Sequence, residues 1–192
     1  MRATKLFAAA LLLCGLVAAS QASAQGFYIG GSVGQSNFDD SNAIPDLITA
    51  GTVDGSDTGY KIFGGYQFNQ HFGLELAYVD LGKASYSGNF FGVPVTGGSV
   101  KTSGFNFSAV GTLPLGSNFA LFGKAGFFTW ESKASDTTGG VPFSGTENGT
   151  DLSLGIGASY NFTKNFAVRA EWERFKAVGD IDLLSIGAVY KF

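Results

Sequence analysis

The chain has 192 residues, of which 45% are hydrophobic, 15% aromatic and only 14% charged, with 29 glycines. Setting aside a basic-then-apolar leader that carries Arg2 and Lys5 leaves ten basic against fifteen acidic side chains, a net charge of −5. That is the wrong sign for a nucleic-acid partner, and the single cysteine, Cys14, lies in the leader, so a disulfide scaffold or thiolate metal site is excluded from the rest.

Residues 1–5 are short and basic, 6–19 are apolar, and Ala22, Ser23 and Ala24 form a small-residue cleavage site. This order predicts a secretory signal peptide over residues 1–24, with Ala22 and Ala24 at the cleavage positions, and a mature domain over 25–192. Leu13 before Cys14 is too large for a lipoprotein cleavage site. The apolar run is shorter than the ~20 residues of a spanning helix, and no later run is longer, so a helical membrane protein is excluded.

From there the chain alternates apolar and small or polar residues with a period of two, the mark of a strand with one apolar face. The first strand, 27–35, is glycine-rich and its facing is undetermined. In the second, Tyr60, Ile62, Gly64, Tyr66 and Phe68 oppose Lys61, Phe63, Gly65 and Gln67. In the third, Phe72, Leu74, Leu76 and Tyr78 oppose His71, Gly73, Glu75 and Ala77. The fourth sets Phe105, Phe107, Ala109, Gly111 and Leu113 against Asn106, Ser108, Val110 and Thr112, and the fifth sets Phe119, Leu121, Gly123, Ala125 and Phe127 against Lys124 and Gly126.

The sixth is the clearest: Leu152, Leu154, Ile156, Ala158, Tyr160 and Phe162 alternate with Asp151, Ser153, Gly155, Gly157, Ser159 and Asn161. The seventh sets Phe166, Val168, Ala170 and Trp172 against Arg169, Glu171 and Glu173. The eighth sets Leu184, Ile186, Ala188, Tyr190 and Phe192 against Ser185, Gly187, Val189 and Lys191. The count is even and each strand has roughly ten residues, enough to cross a bilayer when tilted. Long polar segments at 37–57, 83–98 and 131–149, with a shorter one at 176–180, alternate with tight turns near Asn69, Pro114 and Thr163. Long connections on one side and short turns on the other are the outer-membrane pattern.

Alternation alone does not say which face is inside, because a soluble eight-stranded barrel turns its apolar face inward. Three features reverse that reading here. The polar face is built of glycine and serine with a few opposite charges, a fit for a narrow lumen and a poor match to a water-exposed surface. The last strand ends on an aromatic. The leader directs export. The expected fold class is therefore all-β: a closed eight-stranded antiparallel transmembrane β-barrel with a polar interior and a lipid-facing apolar exterior, since lipid cannot satisfy an open sheet edge.

The opening Phe27-Tyr28-Ile29-Gly30, the stretch Gly64-Gly65-Tyr66-Gln67-Phe68-Asn69, Glu75-Leu76-Ala77-Tyr78, Arg169-Ala170-Glu171-Trp172 and the terminal Tyr190-Lys191-Phe192 together resemble the OmpA-like transmembrane domain family. The resemblance covers essentially all of 26–192. It implies charged pairs in the lumen, for which Glu75, Lys124, Arg169 and Glu171 are the candidates, and an assembly signal read by the barrel-assembly machinery from Leu184, Ile186, Ala188, Tyr190 and Phe192. The family's larger members carry a peptidoglycan-binding domain, which is not carried over to this chain.

An enzyme is not expected. Barrel enzymes acting on lipid need a serine activated by a base, and the one histidine, His71, sits beside a short turn on the periplasmic side, at the opposite end from the outer leaflet. Gly155-x-Gly157 lies mid-strand and lacks the helix of a dinucleotide loop. Asp39, Asp40, Asp46, Asp54 and Asp57 read as a solvated acidic loop, so no metal or other cofactor is expected. The expected partners are outer-membrane lipids and an extracellular ligand or host surface, met through segments that include Phe90, Phe91, Val93, Val141 and Phe143, unless these side chains pack loop against loop instead. The expected role is structural or surface-interacting, with the lumen plugged by charge pairs. The alternatives are a small passive channel for small solutes or apolar molecules and, less favoured, a soluble carrier.

Overall fold

A computed structural model describes residues 25–38, 48–90, 93–138, 140–177 and 179–192; the leader with Ala22 and Ala24, and the acidic Asp39, Asp40 and Asp46, lie outside these. The side chains of Phe90, Phe91 and Val93 likewise lie outside what is described. The elements are β1 (Gly26–Phe38), β2 (Ile48–Asp54), β3 (Ser56–Gln67), β4 (Phe72–Phe90), β5 (Val93–Leu115), β6 (Phe119–Thr138), β7 (Val141–Asn161), β8 (Phe166–Lys176) and β9 (Asp180–Lys191). Eight of them form an antiparallel ring in the order β1, β3, β4, β5, β6, β7, β8, β9. The pairing of Tyr28 with Lys191 through Phe38 with Ile181 closes it. The ninth, β2, pairs among the described residues with β4 alone, directly beyond β3: Asp54 faces Ser85 where Tyr60 faces Asp80.

Tight turns join the ring at one end. Asn69 Oδ1 accepts from the backbone N–H groups of His71 (2.8 Å) and Phe72 (2.9 Å), and Thr163 Oγ1 accepts from those of Asn165 (3.2 Å) and Phe166 (3.0 Å). These are side-chain-closed turns of the kind Asn and Thr favour. The other end differs from expectation. Segments 83–98 and 131–149 are not loops: β4 with β5, and β6 with β7, continue as paired hairpins to two-residue connections, and β2 occupies part of 37–57. These stretches are polar because water bathes both faces once the strands leave the lipid. Their Ser, Thr, Val and Tyr content still suits a pleated ladder.

The predicted facing holds around the ring. Ile62 is 72% and Phe192 70% exposed, and they belong to a continuous apolar belt with Phe27, Ile29, Leu76, Phe107, Leu154 and Ile186. Such a belt exceeds what a water-soluble surface carries. Aromatics rim its turn end, where Phe27 lies 4.7 Å from Tyr66 and Tyr190 lies 5.0 Å from both Phe166 and Phe192. Toward the hairpin end Tyr78 meets Phe105 at 5.3 Å. Inside, two glycines make room for rings: a Cβ on Gly65 would fall 2.3 Å from the Tyr28 ring, and one on Gly157 2.3 Å from that of Phe122. The interior is polar at mid-height. Toward the hairpin end, however, Phe38, Val79, Leu81, Phe128, Phe175, Ile181 and Leu183 form an apolar layer.

Where β4 leaves the belt the ladder shifts register between Asp80 and Lys83, and Gly82 adopts a φ of 75°. Asp80 Oδ1 accepts from the Gly82 N–H at 3.0 Å, while Asp57 carboxylate oxygens accept from the N–H groups of Thr58 and Lys83, each at 2.8 Å. These donors hold the Asp57 carboxyl below its ordinary value. A depressed carboxyl contributes stability at neutral pH that is lost only as pH falls through the folded value. The Lys83 amide resonance should therefore stay fixed as pH passes about 3.9, the usual aspartate value, and move at lower pH. Titration at the ordinary value, or a Lys83 amide unmoved in Asp57→Ala, would disprove the contact.

Candidate functional site

Because side chains alternate across a strand, each strand sends every second residue into the lumen. At mid-height these are Lys61 and Phe63 from β3, Glu75 from β4, Lys124 from β6, and Arg169, Glu171 and Glu173 from β8, with Tyr28 from β1 alongside. The six charged side chains are at most 7% exposed.

Glu75 is the hub on the turn side. It accepts from Arg169 Nη1 at 2.6 Å, from Lys124 Nζ at 3.2 Å and from the Tyr28 hydroxyl at 3.1 Å. Glu171 Oε2 lies 3.0 Å from Lys124 Nζ and 2.9 Å from Arg169 Nη2. These are ion-pair contacts without hydrogen-bond alignment. Lys61 bridges Glu171 and Glu173, and Lys124 also pairs with Glu173. The Arg169 guanidinium is stacked between the rings of Phe63 (4.8 Å) and Phe122 (4.2 Å), an arrangement that suits its planar, weakly hydrated charge. Three cations thus face three carboxylates, and the cluster is formally neutral. Toward the hairpin end the apolar layer follows, with Phe128 and Phe175 at 4.8 Å, and the Trp130 indole N–H donates to Asp151 at 2.9 Å.

The structure brings Glu75, Lys124, Arg169 and Glu171 together. Lys61, Glu173 and Tyr28 belong with them and were missed. The alternation already put Lys61 and Glu173 on the inward face. The predicted quartet was itself neutral, so charge balance gave no sign that two members were absent. Tyr28 escaped because the glycines of β1 blur its facing.

Leu184, Ile186, Ala188 and Tyr190 on β9, and Phe192 just past its end, are all exposed on the outer face. His71 is exposed on the β3–β4 turn, with Nδ1 3.2 Å from the Thr112 carbonyl and Nε2 3.0 Å from the Gln70 side-chain nitrogen. Gly155 and Gly157 are mid-strand in β7, and Val141 and Phe143 are exposed near its tip.

A family model described as an outer membrane protein beta-barrel domain matches residues 6–192. The chain belongs to the outer-membrane protein β-barrel family. Among curated relatives, Outer membrane protein A of Yersinia pseudotuberculosis is 29% identical over 198 residues, which cover 96% of this chain and 54% of that protein. Outer membrane protein A of Shigella flexneri is 27% identical over 197 residues, with the same two coverages. The chain spans about half the length of these relatives. Among solved structures, OprG of Pseudomonas aeruginosa aligns with a TM-score of 0.60 at 15% identity, over 88% of this chain and 96% of that one. Ail of Yersinia pestis, crystallised with the heparin analogue sucrose octasulfate, aligns with a TM-score of 0.58 at 19% identity, over 88% and 100%. As a member of this barrel family the protein resides in the cell outer membrane, its tight turns periplasmic and its long hairpins extracellular.

Removing one carboxylate from a buried, shared set leaves cations without compensation, a loss of about 3–5 kcal/mol. Glu75→Gln should lower the urea midpoint of the folded barrel, followed by the gel-mobility difference between unheated and boiled protein. Adding Lys124→Gln should recover part of that loss, because it restores charge balance. Equal midpoints for wild type and Glu75→Gln would show that Glu75 is solvated.

Proposed function

We propose that the protein is a non-catalytic outer-membrane scaffold whose lumen is plugged and whose working surface is the extracellular sheet formed by β2 and the upper parts of β4 to β7. The observation that carries this reading is the pairing of two features along one axis: six mutually neutralising side chains at mid-height, and strands of 19 to 23 residues in β4 to β7 against 11 to 13 in β1, β3, β8 and β9. Eight strands leave an interior that side chains fill. The extra length therefore serves presentation rather than a wider pore.

The extracellular sheet has an open side. Pairing of β7 with β8 begins at Ser153 with Phe175, so β7 has no second neighbour from Val141 to Asp151 among the described residues. Such an edge offers backbone donors and acceptors to an extended segment of a partner. Among the described residues this end is acidic, with Asp54, Asp57, Asp80, Glu131, Asp136, Glu147, Asp151, Asp180 and Asp182 against Lys83, Lys101, Lys133, Arg174 and Lys176. That balance favours a neutral or basic partner and disfavours a polysulfated ligand like the sucrose octasulfate crystallised with Ail. Within the same reading, the outward stripe of β9 ending at Phe192 serves recognition by the assembly machinery, and the apolar belt meets outer-membrane lipid.

The competing reading is a small passive channel. It draws on Glu75 contacting both Lys124 and Arg169, so that re-pairing would open a path. Single-channel recording of the folded protein in planar bilayers decides between them. We expect a silent barrel at neutral pH, whereas discrete openings above the lipid background would overturn the scaffold.

A further inference from the structure

At the periplasmic mouth, below the neutral cluster, lies a cavity of about 730 Å³. Its charged lining residues are Lys164, Lys191 and Arg169, and no Asp or Glu side chain lines it. Arg169 is already compensated by Glu75 and Glu171. The two lysines are not: neither has an acidic partner among the described residues. Lys191 is held in place, donating from Nζ to Asn161 Oδ1 at 2.6 Å. That bond uses one of three ammonium protons.

Amide and hydroxyl groups of Gln67, Thr112 and Asn161 complete a wall of neutral polar groups around these cations. The charge of the whole molecule sharpens the contrast. Among the described residues, every acidic side chain outside the six-charge cluster lies toward the extracellular end, whereas the periplasmic end carries Lys164 and Lys191 and no carboxylate side chain. A concave, half-enclosed site whose charged side chains are all of one sign, with low-dielectric walls, focuses its field on an incoming counter-ion, and the main-chain carboxylate of Phe192 at its rim is the one opposing group.

We propose that this vestibule is a binding site for a small oxyanion, a phosphate or carboxylate group that enters from the periplasmic side and sits between Lys164 and Lys191. The group belongs either to the headgroup of an inner-leaflet phospholipid or to a soluble periplasmic anion. It stops at Arg169, where the paired cluster begins, so the vestibule is a receptor pocket rather than the mouth of a conduit. The site does not depend on whether the barrel conducts.

The test is a titration of the folded protein with inorganic phosphate, followed by nuclear magnetic resonance at constant ionic strength against chloride. A maltoside detergent is used because it supplies no phosphate of its own. Saturable shifts at Lys164, Asn161 and Lys191 are expected, with affinity at least tenfold weaker in Lys164→Gln/Lys191→Gln. The single Lys164→Gln change, in an exposed turn, should weaken binding with the barrel spectrum otherwise intact. Repeating the titration in phosphatidylglycerol nanodiscs identifies the source. Loss of the phosphate response there, with the same resonances already displaced, assigns the site to a lipid headgroup. An unchanged response assigns it to a soluble anion. Linear shifts without saturation in detergent, or saturation undiminished in the double variant, would overturn the proposal.

Discussion

Everything in this molecule follows from the inability of lipid to hydrogen-bond a peptide group. A sheet in the bilayer has to close on itself, and with eight strands closure leaves a narrow lumen lined by side chains. The outer face is then free to be uniformly apolar, and the inner face has to satisfy its own polar atoms. Each strand therefore carries two unrelated codes on alternate residues. Ile62 and Lys61 are sequence neighbours, yet one is 72% exposed to lipid and the other 1% exposed inside.

The inner code reads as three zones along the axis. An apolar layer around Phe128, Phe175 and Leu183 fills the extracellular half, the six-charge cluster fills the middle, and a cationic vestibule opens to the periplasm. The middle zone is the unusual one, since an apolar filling of equal volume would avoid the desolvation of six ions. What the ions add is exclusivity. Lys61 from β3, Glu75 from β4, Lys124 from β6 and three residues of β8 meet only if four strands, of which only β3 and β4 are neighbours, hold one register. A slip of one residue would turn each of these charges into the lipid. The cluster therefore penalises wrong registers far more heavily than aliphatic packing does.

The ring was legible in the sequence because period two is unambiguous when one face is lipid and the other is glycine, serine and paired charge. Segments 152–162 and 184–192 could not be read otherwise. The long hairpins were illegible for the same reason. Once β4 to β7 pass beyond the belt, water meets both faces, the alternation disappears, and Ser85 to Ser87 or Ser132 to Asp136 read as loop although their ladder continues. Within the cluster, the types and facing of Lys61 and Glu173 were visible, but which inward charges touch depends on the stagger between strands, and period two carries no information about stagger.

Connection length explains why the two ends of the barrel differ so much in chemistry. The periplasmic turns are closed by Asn69 and Thr163 within four residues, and the few side chains they hold include Lys164 but no carboxylate. The extracellular end has chain to spare and uses it for carboxylates, with Asp57 and Asp80 tying down the β4 bulge where the wall becomes a free-standing sheet. An acidic, open-edged surface outside and a cationic recess within are thus two consequences of one asymmetry in connection length. That asymmetry gives the two ends of the barrel opposite charge.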